Sequence, residues 1–154
     1  MEFGLEGKGV IVTGASRGIG LAIAEAFAAE GANVSICGRT EGPLNAAKDK
    51  LASHGGTVHA STCDVADAAL LESYINAAEA ALGGLNVLVN NPSGFGRTDD
   101  EDGWQKSIDV DLMATLRGSW HAIPMLEKNG GGAIIHISTI SALTESIRTP
   151  PYGA

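Results

Sequence analysis

Thr13-Gly14-Ala15-Ser16-Arg17-Gly18-Ile19-Gly20 is the stretch on which the fold turns. On its N-terminal side, Lys8 to Thr13 is a short apolar run of the kind that forms a fully buried strand. On its C-terminal side, Ile19, Ala22, Ile23, Ala26 and Phe27 recur at three- and four-residue steps, which predicts a helix over 18–31 that stops at Gly31. A glycine triplet alone is a weak signal, but a strand–turn–helix context gives each glycine a task. Gly14 permits the tight turn out of the strand. Gly18 lets backbone come close to a bound anion, and Gly20 lets the helix pack near the sheet. The helix N-terminus then offers unpaired N–H groups and a partial positive charge.

Working outward, strand and helix alternate with short connections. Asn33 to Cys37, Thr57 to Asp64, Asn86 to Asn90 and Ala133 to Ser138 read as further strands. Pro43 to His54, Asp67 to Leu82 and a long segment from Trp104 to Asn129 read as helices, with Pro124 expected to kink the last or mark a boundary. This order implies an open, doubly wound parallel sheet of five strands with helices on both faces, a three-layer α/β sandwich of Rossmann type. No repeat, linker or low-complexity stretch divides the chain, so residues 1–154 are expected to form one dinucleotide-binding domain.

Composition agrees with a globular core: hydrophobic residues make up 44% and charged residues 18% of the 154. Aromatics are only 5%, so the core must be built from Ala, Val, Ile and Leu. The net charge of −8 repels phosphate backbones and argues against a nucleic-acid partner. Cys37 and Cys63 are too few for a disulfide framework and are expected to be buried, reduced thiols. The N-terminus shows no basic region followed by an apolar run, and no stretch approaches a membrane span, so a cytoplasmic protein without membrane association is the default. His54, His59, His121 and His136 have no metal-ligand spacing, and no metal is expected; His136 is expected in the core or half-buried, and Trp120 and Met125 as packing residues.

Thr-Gly-x-x-x-Gly-x-Gly, with three residues between the first two glycines, resembles the signature of the short-chain dehydrogenase/reductase family, and the likeness extends over essentially the whole chain. The resemblance implies a nicotinamide dinucleotide cofactor, held by Gly14, Ala15, Ser16, Arg17, Gly18, Ile19 and Gly20 at the pyrophosphate. It also implies hydride exchange between that cofactor and a small-molecule carbonyl/alcohol pair. After the second strand, an NAD-binding site would usually carry an acid for the ribose hydroxyls. Here Gly38 occupies that place and Arg39-Thr40 follow. A guanidinium can pair bidentately with a 2′-phosphate and stack on adenine, and Arg17 can add a second cation. NADP(H) is therefore expected ahead of NAD(H). The resemblance further places Asp64-Val65 at the adenine, with Asp67 the better helix cap, and Asn91 of Asn90-Asn91-Pro92-Ser93-Gly94 along the adenosine ribose.

For catalysis, the resemblance assigns Tyr152 in Pro151-Tyr152-Gly153-Ala154 as acid/base and cofactor contact. Lowering a tyrosine pKa from about 10 to about 7 takes roughly 4 kcal/mol, which a neighbouring ammonium and a cationic nicotinamide can provide. Three departures from the family pattern stand out. The carbonyl-polarising Ser, thirteen positions before Tyr152, is Thr139 here, with Ser138 next in preference and Ser141 behind it. The Asn that anchors a proton path is Asp111, which when ionised accepts but cannot donate. The Lys expected four residues after Tyr152 would fall at 156, beyond Ala154. The expectation is thus the N-terminal portion of an NADP(H)-dependent oxidoreductase, or else a catalytically incomplete binding module. A homo-oligomer is implied for the complete protein, and an open sheet edge is expected after the fifth strand.

Overall fold

The computed structural model describes residues 3–144 and 146–154; Met1, Glu2 and Glu145 lie outside it. Five strands, β1 (Gly9–Val12), β2 (Asn33–Gly38), β3 (Val58–Thr62), β4 (Val87–Asn90) and β5 (Ala133–His136), form one sheet in the order β3-β2-β1-β4-β5. Every pairing is parallel. The order reverses direction at β1, so the crossovers β1→β2→β3 and β4→β5 run to opposite sides, and a crevice opens between the C-terminal tips of β1 and β4.

Side-chain alternation along the strands sorts the core into two layers. Val10, Val12, Val34, Ile36 and Val89 face α1 (Gly18–Ala29) and α2 (Glu41–Ala52). Ile11, Cys37 and Leu88 face α3 (Ala68–Leu82) and α5 (Ala114–Lys128). Small residues hold the first layer thin: α1 buries Gly20, Ala24 and Ala28 against the sheet.

One helix carries both its own start and its own stop signal. Asp67 accepts the Ala69 and Leu70 N–H groups at 2.9 and 3.0 Å, and Gly83 closes the same helix in the left-handed region at φ 76°. Asp67→Ala should lower stability by about 1 kcal/mol, read as a shift in the urea midpoint at unchanged slope.

A polar chain lies within the second layer. Ser35 Oγ sits 2.9 Å from both Tyr74 Oη and His59 Nδ1, and the His59 ring stacks on Tyr74. Burial and, second to it, the positive charge of Lys48 push the His59 pKa below its ordinary value. The unfolded chain therefore takes up a proton that the folded chain resists. This contribution is complete above about pH 6.5 and is lost as pH falls from there through the folded value. Melting temperature should fall between about pH 7.5 and 5, with a shallower slope in His59→Gln.

The long segment expected as one helix is divided. α4 (Glu101–Ser107) passes into a π-helical turn (Ile108–Met113) before α5 begins. Pro124, by contrast, lies inside a continuous α5, on its exposed side where water can satisfy the freed carbonyl. The break falls upstream because the 91–96 loop packs hard on this segment. A Cβ on Gly94 would strike the Lys106 carbonyl oxygen, and one on Gly96 would strike the Gly103 carbonyl oxygen.

β5 is an edge strand with its outer side open. Ile135 is 41% exposed, and His136, expected to be at least half-buried, is exposed as well. Trp120 is 60% exposed rather than packed, whereas Met125 does pack against the core. No helix among the described residues is long and apolar enough to cross a membrane.

Candidate active site at the strand tips

β1 ends in a turn held by its neighbours. Thr13 N–H donates to the Val89 carbonyl at 3.0 Å, and Ala15 N–H donates to the Cys37 carbonyl at 2.9 Å. Asn91 locks the turn from the other side: its Nδ2 donates to the Gly14 and Thr13 carbonyls at 3.0 and 3.3 Å. Gly14 has φ 64° and lies against Pro92, so it meets both conditions that exclude a side chain. Gly20 is fixed by contact alone, because a Cβ there would strike Asn91 Nδ2 and stand 2.7 Å from the Gly14 carbonyl oxygen. Gly18, at φ 60°, faces open space. Arg17, which precedes α1, makes no side-chain cap bond, so the first amides of the helix lack an acceptor from their cap side chain.

The crevice holds two adjoining cavities of about 260 and 410 Å³, with Asn91, Pro92 and Ser93 as shared lining. The smaller collects Gly14, Ser16, Arg17, Arg39, Asp64, Val65 and Asn91 from the expected set, together with Gly38. Thr40 stands outside it at the start of α2, Ala15 is buried behind the turn, and Gly18 and Gly20 form the turn without lining either cavity. Ser16 approaches Gly38 closely: a Cβ at 38 would sit 2.9 Å from Ser16 Oγ. Asp64 is not wholly free, because its Oδ1 accepts the Ala66 N–H at 3.1 Å.

The larger cavity brings together Ile19, Asp111, Ser138, Thr139 and Tyr152 from four separate segments. Thr139 Oγ1 accepts the Ser141 N–H at 3.3 Å, which leaves the hydroxyl proton available to a second acceptor. Ser141 does not line the cavity. Asp111 lies in the π-helical turn, where Oδ1 accepts the Gly94 N–H at 2.8 Å while the buried Oδ2 has no partner among the described residues. Tyr152 rides on a short helix, α6 (Pro150–Gly153), that begins with two prolines pre-set for helical φ. The Phe95 ring meets Tyr152 edge to face at 4.8 Å, and Phe95 itself has φ 47°, a conformation that costs a non-glycine residue about 1–3 kcal/mol.

Several of the site's residues gave no signal in the sequence. Phe95, Ser107 and Lys106 enter through the fold of the 91–96 loop onto α4: Ser107 Oγ accepts the Gly96 N–H, and Lys106 lines the smaller cavity. Cys37 and Cys63, free and buried as expected, also line that cavity. Among the described residues no cluster of three or more His, Cys, Asp and Glu side chains could hold a metal ion.

An open parallel sheet with a glycine turn at its first strand tip and a Tyr-bearing cavity beside it defines a doubly wound α/β nucleotide-binding class. Within that class the chain belongs to the short-chain dehydrogenase/reductase family, whose short chain dehydrogenase model matches residues 8–154. It is 36% identical over 155 residues to 2,5-dichloro-2,5-cyclohexadiene-1,4-diol dehydrogenase LinX of Sphingobium indicum, covering 97% of this chain and 62% of that one. L-Sorbose reductase from Gluconobacter frateurii, solved with NADPH and L-sorbose, superposes with a TM-score of 0.94 at 33% identity over 99% of this chain and 60% of that one. A 7α-hydroxysteroid dehydrogenase solved with NADH and 7-oxo glycochenodeoxycholic acid superposes at 0.91 with 31% identity, over 97% of this chain and 60% of that one. The chain therefore spans about three-fifths of the length of the relatives it matches.

Proposed function

We propose that residues 1–154 form the dinucleotide-binding domain of an oxidoreductase that interconverts a carbonyl and a secondary alcohol, with NADP(H) preferred over NAD(H). The observation that carries the cofactor reading is the smaller cavity, where Arg17 and Arg39 flank a position 38 that has no side chain. An acid at 38 would collide with Ser16 as well as repel a 2′-phosphate. Two guanidiniums at that rim suit a dianion, and the uncapped amides of α1 suit a pyrophosphate. Asp64 Oδ2 and the apolar face of Val65 would flank adenine, and Asn91, which clamps the turn, would lie along the ribose.

When bound, the nicotinamide supplies or accepts the hydride. The residues of the larger cavity manage the proton and the carbonyl oxygen. The Tyr152 phenol donates its proton to the developing alkoxide and takes it back in the reverse direction, with Phe95 holding the ring. The Thr139 hydroxyl polarises the carbonyl oxygen while its own oxygen is anchored by the Ser141 N–H, and Ser138 is the alternative donor. Asp111 fixes the 91–96 loop through Gly94. The second reading, a binding module without turnover, is favoured by a carboxylate standing where the family pattern has an Asn amide, because Asp111 has no N–H to donate. Calorimetric titration with NADPH and NADH tests the primary claim: NADPH should bind about tenfold tighter or better. Equal affinities, or no binding by the folded chain, would defeat the arginine reading. Loss of NADPH absorbance with small ketones, measured on the same preparation, separates turnover from binding.

A further inference from the structure

The two cysteines are distant in sequence but converge beneath the smaller cavity. In the β2–β3 register Cys37 stands opposite Ser61, so Cys63, two residues further on, projects to the same face as a diagonal neighbour. The Cys63 N–H donates to the Gly38 carbonyl at 3.0 Å, which keeps the strand ends together past the last paired residues. Both side chains belong to one core cluster, and both line the cavity. Cys63 is followed directly by Asp64 and Val65, which line the same cavity.

We propose that Cys37 and Cys63 form an oxidisable dithiol on the floor of the dinucleotide crevice, and that closure of its disulfide and occupancy by the dinucleotide oppose one another. The second half rests on the cofactor reading above. The neighbouring Cys37 thiol lowers the Cys63 pKa, whereas the Cys63 neighbour and burial raise the pKa of Cys37, so the two sulfurs divide the work. The Cys63 thiolate attacks one oxygen of a hydroperoxide; the O–O bond breaks, an alcohol (or water, from hydrogen peroxide) leaves with a proton, and Cys63 becomes a sulfenic acid. The Cys37 sulfur then gives up its proton and attacks the Cys63 sulfur, the S–O bond breaks, and the hydroxyl leaves with that proton as water. Two thiols are oxidised and one peroxide is reduced.

Closure has a mechanical consequence. A disulfide holds its Cα atoms within about 7 Å, and diagonal neighbours on adjacent strands start near the outer limit of that reach. Bond formation draws Cys63 toward β2, and Asp64 and Val65 move with it, away from the positions proposed for adenine contact.

The test treats the full chain with hydrogen peroxide under native conditions, blocks residual thiols with iodoacetamide and maps peptides by mass spectrometry, with and without saturating NADPH. The expected product is a Cys37–Cys63 cross-linked peptide lighter by two hydrogens, formed more slowly with NADPH present. NADPH affinity should drop at least about tenfold in the oxidised chain and recover with dithiothreitol. In Cys37→Ala the dithiothreitol-reversible loss should vanish, and Cys63→Ala should behave alike, so a folding defect in one variant does not decide the matter. Two free thiols, or only sulfinic acid on Cys63, would overturn the dithiol. A complete cross-link with unchanged NADPH affinity would overturn the coupling. A reduced chain that binds neither dinucleotide would overturn the cofactor reading, while the cross-linked peptide still decides the dithiol.

Discussion

Gly20→Ala should lower stability by about 1–2 kcal/mol and weaken NADPH binding by about 100-fold or more. Helix propensity alone points the other way, since alanine is favoured over glycine by up to about 1 kcal/mol inside a helix. Contact decides the sign. The added Cβ would meet Asn91 Nδ2, the Gly14 carbonyl oxygen at 2.7 Å and Ala15 Cα at 2.9 Å, and two of those three atoms are backbone of the turn itself. Overpacking of this kind costs about 1–3 kcal/mol and outweighs the propensity gain. The relaxation must move the turn, so the amides proposed to hold the pyrophosphate move too; losing two charge-assisted hydrogen bonds at about 1.5 kcal/mol each gives the stated loss in affinity. Gly42→Ala is the matched control. Gly42 lies in α2, and a methyl group added there would have nothing within 4 Å, so that variant should gain stability and bind NADPH as before. Thermal melts and calorimetry on the pair check both halves, and a Gly20→Ala protein as stable and as competent as Gly42→Ala would refute the packing argument.

Arg39→Ala should cost about 10- to 100-fold in NADPH affinity and leave NADH affinity within about threefold. Arg39 is exposed and lines the rim of the smaller cavity, so its removal takes away no core packing and its effect reports charge. The loss should shrink as salt is raised, because an exposed guanidinium–phosphate pair is screened. Equal losses for both dinucleotides would show that Arg39 contacts the common adenosine and not a 2′-phosphate.

The parts of the fold legible in the sequence were those set by local periodicity and by glycine chemistry. The strands of the sheet, the start of α1 at Gly18 and the Asp67 cap all depend on neighbours a few residues away. The parts that escaped depend on segments meeting in space. The π-helical turn at 108–113 gives no periodic signal of its own, since it arises where the glycine-rich 91–96 loop presses on α4. His136 and Trp120 look like core residues by hydropathy of their surroundings, yet both are exposed. Phe95, with its left-handed backbone and its ring on Tyr152, sits in a stretch whose sequence only suggests a loop. The convergence of Cys37 and Cys63 needed the β2–β3 register before it could be seen.

The most direct test of the crevice as a dinucleotide site is a residue-resolved one. Amide spectra of isotopically labelled chain, recorded during NADPH titration, should show saturable shifts concentrated at Gly14–Ile19, Arg39, Asp64–Val65 and Asn91, with α2 and the open side of β5 undisturbed. Shifts confined to other surfaces, or a spectrum of folded protein that NADPH leaves unchanged, would contradict the assignment of the β1–α1 turn as the phosphate cradle.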